Sequence, residues 1–213
     1  MALLKLSHRR RREGRTDYKT RLALLKSGES RFVVRRSSKN IICQLVGYKQ
    51  TGDTTSLHAD SRELKNFGWN YHGGNLSSAY LTGLLFGVRA KGKKSILDLG
   101  LYTPNHGSRL FATLKGAIDG GLDIAYSEDA LPPVERFSGK HISDYATLLK
   151  KEQPTKYKKV FSGYLKNNLV PEDIAKVFEQ AKSNILGGVK VEKKEKPAAE
   201  KPKVSKPKTK DKE

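Results

Sequence analysis

Arg9, Arg10, Arg11 and Arg12 stand in one unbroken run, and Arg15, Lys19, Arg21 and Lys26 follow before any apolar segment begins. Like charge at that density repels itself unless a polyanion takes it up. Guanidinium groups carry planar forks of N–H donors that match phosphate oxygens and stack on bases. Tyr18 lies inside the same stretch, among neighbours too polar to form a core. An exposed ring there suits stacking on an unpaired base. The chemistry predicted for residues 1–30 is therefore adhesion to a phosphate backbone by an extended arm that orders on its partner.

Bond-making chemistry finds less support. His8, His58, His72, His106 and His141 are scattered, with no pair at i, i+4 and none beside Cys43, so no metal-site spacing exists. No metal or other cofactor is expected. Gly87-Val88-Arg89-Ala90-Lys91-Gly92-Lys93-Lys94-Ser95 resembles a phosphate loop but departs from it twice. Lys94 stands where Ser or Thr is required, and the glycines follow a helix and precede a strand. A phosphate loop needs the reverse order, with a helix N-terminus facing the anion. The segment reads instead as a basic turn after a helix, with Lys91, Lys93 and Lys94 available to nucleic acid as point charges. Asp98 in mid-strand raises the idea of a nuclease carboxylate. Its possible companions Asp60, Glu63, Asp119 and Asp123 lack diagnostic spacing. An aspartate bonded to backbone is the simpler reading. Asn75-Leu76-Ser77 fits a glycosylation acceptor formally, but helix capping explains it better. Cys43, the single cysteine, excludes an internal disulfide and reads as an apolar strand filler.

The chain has 213 residues, a formal net charge of +20 and an isoelectric point near 10.0, the balance of a nucleic-acid binder. Membrane surfaces also attract cations, but the arginine run has no apolar helical face, and no apolar stretch is long enough to span a bilayer. Met1 to Leu6 is too short, and too soon followed by arginine, for a secretory core. From Val189 onward Lys, Glu, Pro, Ala and Ser dominate without aromatics, so residues 189–213 are expected to be a disordered lysine-rich tail. Residues 31–188 are the size of one domain.

Within that domain, Arg31 to Arg36 and Asn40 to Tyr48 read as a hairpin around Ser37-Ser38-Lys39-Asn40. Thr54 to Ala59 adds a strand. Leu81, Leu84, Leu85 and Val88 mark one face of a helix ending near Ala90. Ser95 to Leu101 forms a fourth strand, a helix runs from Ser108 to about Asp119, and a short strand is expected near Leu122 to Ala125. The C-terminal part looks helical. Pro171-Glu172-Asp173 opens a helix whose apolar positions are Ile174, Val177, Phe178, Ala181 and Ile185. The fold class is α/β with a mixed sheet. Phe67, Trp69, Tyr71 and Tyr80 surround Gly73-Gly74, with a core role favoured for Phe67 and Trp69.

Several of these segments carry a resemblance. Arg9 to Tyr18, Leu22 to Gly28, Arg31 to Arg35, Phe67-Gly68-Trp69, Asn75 with Ala79 to Leu85, and Leu97 to Leu101 form the first part of the pattern. Arg136 with Gly139 to Ile142, and Phe161-Ser162-Gly163-Tyr164, complete it. Together they resemble the large-subunit ribosomal protein family that binds 5S rRNA, in its archaeal and eukaryotic form, with the modest length favouring the archaeal type. The resemblance implies a sandwich related to the ribonuclease H-like fold of translational proteins, without catalysis. It implies a cytoplasmic, ribosomal location and three partners: 5S rRNA, large-subunit rRNA and neighbouring large-subunit proteins. It would make Arg9 to Arg12, Arg15, Lys19 and Arg21 the arm contacts, with Tyr18 stacking. Arg31, Arg35, Arg36 and Lys39 would present a basic hairpin edge. Two other classes stay open, a general nucleic-acid chaperone and a metal-dependent nuclease.

Overall fold

Three consecutive strands form an antiparallel meander: β1 (Ser30–Arg36), β2 (Ile41–Lys49) and β3 (Gly52–Asp60). The computed structural model describes residues 6–188. The first turn closes through Ser37, whose N–H donates to Asn40 O at 2.8 Å while its Oγ accepts from Asn40 N at 2.9 Å. β4 (Ser95–Asp98) joins the other edge of β1 in parallel, giving the mixed order β3-β2-β1-β4. Period-two alternation turns Phe32, Val34, Ile41, Cys43 and Leu45 to one face, where none is more than 2% exposed. Cys43 is thus the apolar filler expected, and burial pushes its thiol pKa up.

That face is covered by α3 (Leu76–Ala90) and α4 (Arg109–Asp119). Asn75 starts α3 as an N-cap, its Oδ1 accepting from Ser78 N at 2.7 Å. Gly92, at φ +74°, turns the chain away at the other end. The two helices touch backbone to backbone. A Cβ at Gly83 would collide with Thr113 O, and one at Gly116 with Tyr80 O. Only hydrogen fits there.

β4 is shorter than the predicted Ser95 to Leu101. Asp98 Oδ1 accepts from Gly100 N at 2.9 Å, and this local turn withdraws the backbone from the ladder. The strand expected at Leu122 to Ala125 is reduced to a single parallel bridge between Lys94 and Asp123.

The C-terminal part is helical, as read: α5 (Val134–Phe137), α6 (Lys140–Glu152), α7 (Pro154–Val160), α8 (Ser162–Leu165) and α9 (Ile174–Leu186). Pro171–Asp173 is a 3₁₀ turn ahead of α9 rather than its first turn. Ile174, Phe178, Ala181 and Ile185 are buried, and Val177 packs half-buried beside them. Phe178 meets Tyr80 and Phe137, whose rings stack at 4.4 Å. Ala146, Leu149, Tyr157 and Phe161 make a second, smaller cluster under α6 and α7. Glu172 holds it to the rest, accepting from Lys150 Nζ at 2.9 Å and from the Tyr157 hydroxyl at 3.0 Å.

The N-terminal segment is helical rather than extended. It forms α1 (Arg9–Arg12) and α2 (Tyr18–Lys26). Asp17 nucleates α2, accepting from Lys19 N at 2.9 Å, from Thr20 N at 3.3 Å and from Thr20 Oγ1 at 2.6 Å. Those bonds hold its carboxyl below the usual range. No residue of either helix is buried. Residues 189–213, read as a disordered tail, lie outside the described residues.

Candidate nucleic-acid interface

The arm folds so that its cations divide into those facing solvent and those facing the sheet. In α1, Arg9 Nε donates to Glu13 Oε1 at 2.7 Å one turn later, and Arg15 approaches the other oxygen at 3.1 Å. Arg10 Nε donates to Thr16 Oγ1 at 2.9 Å. Arg11 and Arg12 are exposed and make no ion pair among the described residues. Tyr18 opens α2, half-buried, with its ring 5.5 Å from that of His8. Lys19 is exposed.

Arg21 is different, because it turns toward the β2–β3 turn and donates from Nη2 to Asp53 Oδ1 at 2.8 Å. The hydrogen bond raises the Arg21 pKa and, against some desolvation, holds Asp53 below its ordinary value of 3.8. Asp53 also accepts from Arg31 Nη2 at 2.8 Å, and Arg31 Nη1 donates to Asp98 Oδ2 at 2.8 Å. Arg35 completes the chain, donating to Asp98 Oδ1 at 2.9 Å and Asp98 O at 2.8 Å. One run of charge-assisted bonds therefore ties α2, β1, β3 and β4 together.

Between arm and sheet lies a cleft of about 620 Å³ in which Arg10, Arg15, Arg21, Arg31 and Arg35 face Asp17, Asp53 and Asp98. Tyr18 and Tyr102 add aromatic wall. The Tyr102 hydroxyl donates to Arg36 O at 2.6 Å, and the Arg36 guanidinium sits over its ring at 4.9 Å. The arrangement can take phosphate groups, with cations in excess and rings beside them.

The sequence-predicted contacts are not all equivalent in space. Arg9 to Arg12, Arg15, Tyr18, Lys19 and Arg21 gather on the arm. Arg36 and Lys39 are exposed around the β1–β2 turn. Arg31 does not belong to a free basic edge: it is 3% exposed and committed to two carboxylates. Period-two geometry places it on the sheet face that the arm covers, which its side of the sequence alone could not reveal. Arg35 is only partly available, being bound to Asp98. Lys91, Lys93 and Lys94 form an exposed turn, where Lys94 pairs with Glu29 at 2.9 Å. Sequence reading missed Asp53 and Asp98 as the partners that sort these arginines. Asp53 stands just ahead of the strand read at Thr54 to Ala59, and nothing in its neighbours points across three strands.

Asp98 bonds arginines as well as the Gly100 backbone, and no group of three or more potential metal ligands occurs among the described residues. Asp60 caps its own turn and binds Arg62, with Oδ2 accepting from Nη2 at 2.6 Å. Burial works to raise its pKa, yet the Arg62 bonds leave it lowered. Asp119 accepts from the Tyr80 hydroxyl at 2.8 Å. The carboxylates disperse into separate structural duties. No described helix is long and apolar enough to cross a membrane.

The model of the family described as ribosomal large subunit proteins 60S L5 and 50S L18 matches residues 4–95 and 89–127. The chain belongs to this family. It is therefore a large-subunit ribosomal protein, an rRNA-binding part of the translation machinery on the cytoplasmic ribosome. For a ribosomal large-subunit protein the matched span is telling. It takes in α1, α2, all strands of the sheet, α3 and α4, whereas α5 to α9 lie beyond it.

Proposed function

We propose that this ribosomal protein binds 5S rRNA through its N-terminal helices and attaches it to the large-subunit rRNA in the central protuberance, beside neighbouring large-subunit proteins. The observation that carries the reading is the exposed Arg9–Arg12 turn, which buries nothing and stands ahead of α2, the helix that Arg21 and Asp53 tie to the sheet. The domain fixes where the cations begin, and α1 presents them outward. Arg9, Arg10, Arg11, Arg12, Arg15 and Lys19 neutralise phosphates while Arg21 braces the arm, with Tyr18 stacking and Arg36, Lys39, Lys91 and Lys93 extending the basic surface. A-form RNA hides its base edges in a deep groove, so selection rests on shape and unpaired nucleotides. The mixed sheet packed on α3 and α4 supports a relation to the ribonuclease H-like fold of translational proteins, used here as a scaffold rather than a catalyst.

The test replaces Arg9, Arg10, Arg11 and Arg12 by alanine and measures 5S rRNA affinity across a salt series. About six neutralised phosphates give the wild type a log–log slope of roughly −4 to −5, and the variant's should be shallower by about 3. Its unfolding temperature should move by less than about 2 °C, because the changed side chains touch solvent. Unchanged RNA affinity at one salt concentration rejects the reading. Equal affinity of the wild type for unrelated RNA and duplex DNA points instead to a general chaperone.

A further inference from the structure

A second cleft opens away from the arm, between the loop 67–73 and the C-terminal helices α6 to α8, with a volume of about 830 Å³. Its walls carry Tyr71, Tyr145, Phe161 and Tyr164. Tyr71 and Tyr164 meet edge to face at 5.3 Å, and Phe161 lies nearly parallel to Tyr164 at 6.2 Å. Tyr145 is 50% exposed although α6 has a buried face to offer it, and neighbouring Val160 is 55% exposed. Tyr71 and Phe161 are buried and Tyr164 is half-buried, which leaves Tyr145 as the ring open at the cleft.

The polar lining is equally one-sided. Lys39, Arg62 and Lys65 stand at the cleft, the amides of Asn40, Asn70 and Asn167 line it, and no carboxylate does. Trp69, on the wall and 1% exposed, has a buried indole N–H with no partner among the described residues. An open ring at Tyr145, amides that both donate and accept, and Lys39 and Lys65, which make no ion pair among the described residues while Arg62 is held by Asp60, are the elements of a single-stranded nucleic-acid site. A pocket made for an ordinary peptide would have no reason to exclude acids. A cleft this size falls within the range that encloses a small ligand rather than a duplex.

We propose that this cleft takes an unpaired RNA nucleotide, its base against Tyr145 and its flanking phosphates on Lys39 and Lys65. The inference deepens the reading of the chain as an rRNA-binding protein and gives it a second grip, separate from the arm. The arm would hold RNA by charge and shape, and the cleft would capture a base splayed out of its helix.

The experiment uses the full chain carrying alanine at Arg9 to Arg12, so that the arm does not mask the cleft, and an oligouridylate as the unstructured probe. Binding should persist in that background and weaken at least about tenfold on adding Tyr145→Leu. Tyr145→Phe should restore it, since stacking needs the ring and not the hydroxyl, and Lys65→Glu should weaken it and flatten its salt dependence. Tyr145 is exposed enough that neither variant should disturb folding. Undiminished oligouridylate binding by the Tyr145→Leu chain overturns the proposal, while the arm's own effect on 5S rRNA would still stand. A glutamate-rich peptide that binds in a Tyr145-dependent way, with oligouridylate failing to compete, overturns it too and makes the cleft a protein-docking site. Failure of the wild-type chain to bind 5S rRNA would instead strike the underlying reading.

Discussion

The arginines of α1 and those of β1 are the same chemical group in opposite employment. Arg11 and Arg12 face solvent and meet no carboxylate among the described residues, while Arg31 is 3% exposed and held by Asp53 and Asp98. The first set has its charge free for an external polyanion. The second has been removed from water and must be neutralised within the protein. The difference teaches that a basic residue near a basic run is not thereby a contact residue. What decides is whether an acid waits on the same face of the sheet.

Asp98→Ala should break that comparison most severely. It leaves the buried Arg31 guanidinium short of a partner and frees Arg35, and loss of one member of a buried pair costs about 3–5 kcal/mol. Thermal unfolding should fall by roughly 6–20 °C. A shift under about 2 °C would mean that Asp53 and solvent neutralise Arg31 without it.

A smaller effect is expected where the two sets are joined. Arg21→Gln removes the link between α2 and Asp53, both side chains being about one-third exposed. The change should cost no more than about 1 kcal/mol globally. Amide hydrogen exchange in Tyr18–Lys26 should nevertheless accelerate while α3 is unaffected, because α2 buries no residue of its own. Uniform protection in the variant would show that the arm is docked by something other than this pair.

The pH dependence should be the mildest effect, and its sign follows from Asp53. Its folded-state pKa lies below the ordinary 3.8, so the stabilisation is full above that value and disappears as pH falls through the folded one. Arm docking should therefore be constant from about pH 5 to 8 and loosen only in stronger acid. Following α2 amide signals on acidification would reveal it, and a transition near neutrality would implicate a histidine instead.

Much of this was legible beforehand where information is local. The β1–β2 hairpin, the Asn75 cap, the end of α3 at the Lys91-Gly92 turn and the apolar face of α9 each follow from residues adjacent in sequence or one turn apart. β4 is shorter than its sequence suggests because Asp98 has both strand-forming neighbours and a local turn to make, and the turn prevails. The polarity of the arm argues against burial and so for an extended segment, but Asp17, bonded by Thr20, caps a helix that needs no burial to form. In the candidate interface, the exposed arginines were readable from composition and the braced ones were not.

Charge density, the basic termini, strand alternation and helix caps were properties of the chain itself, since each depends on neighbours within a few residues. Tertiary structure alone settled the partners of Arg21, Arg31 and Arg35, the glycine seam between α3 and α4, and the ring-lined cleft shared by residues near 70 and near 160. Those features join groups far apart along the backbone. Their energies depend on distance through space and on local exclusion of water, and neither quantity is written in the order of residues.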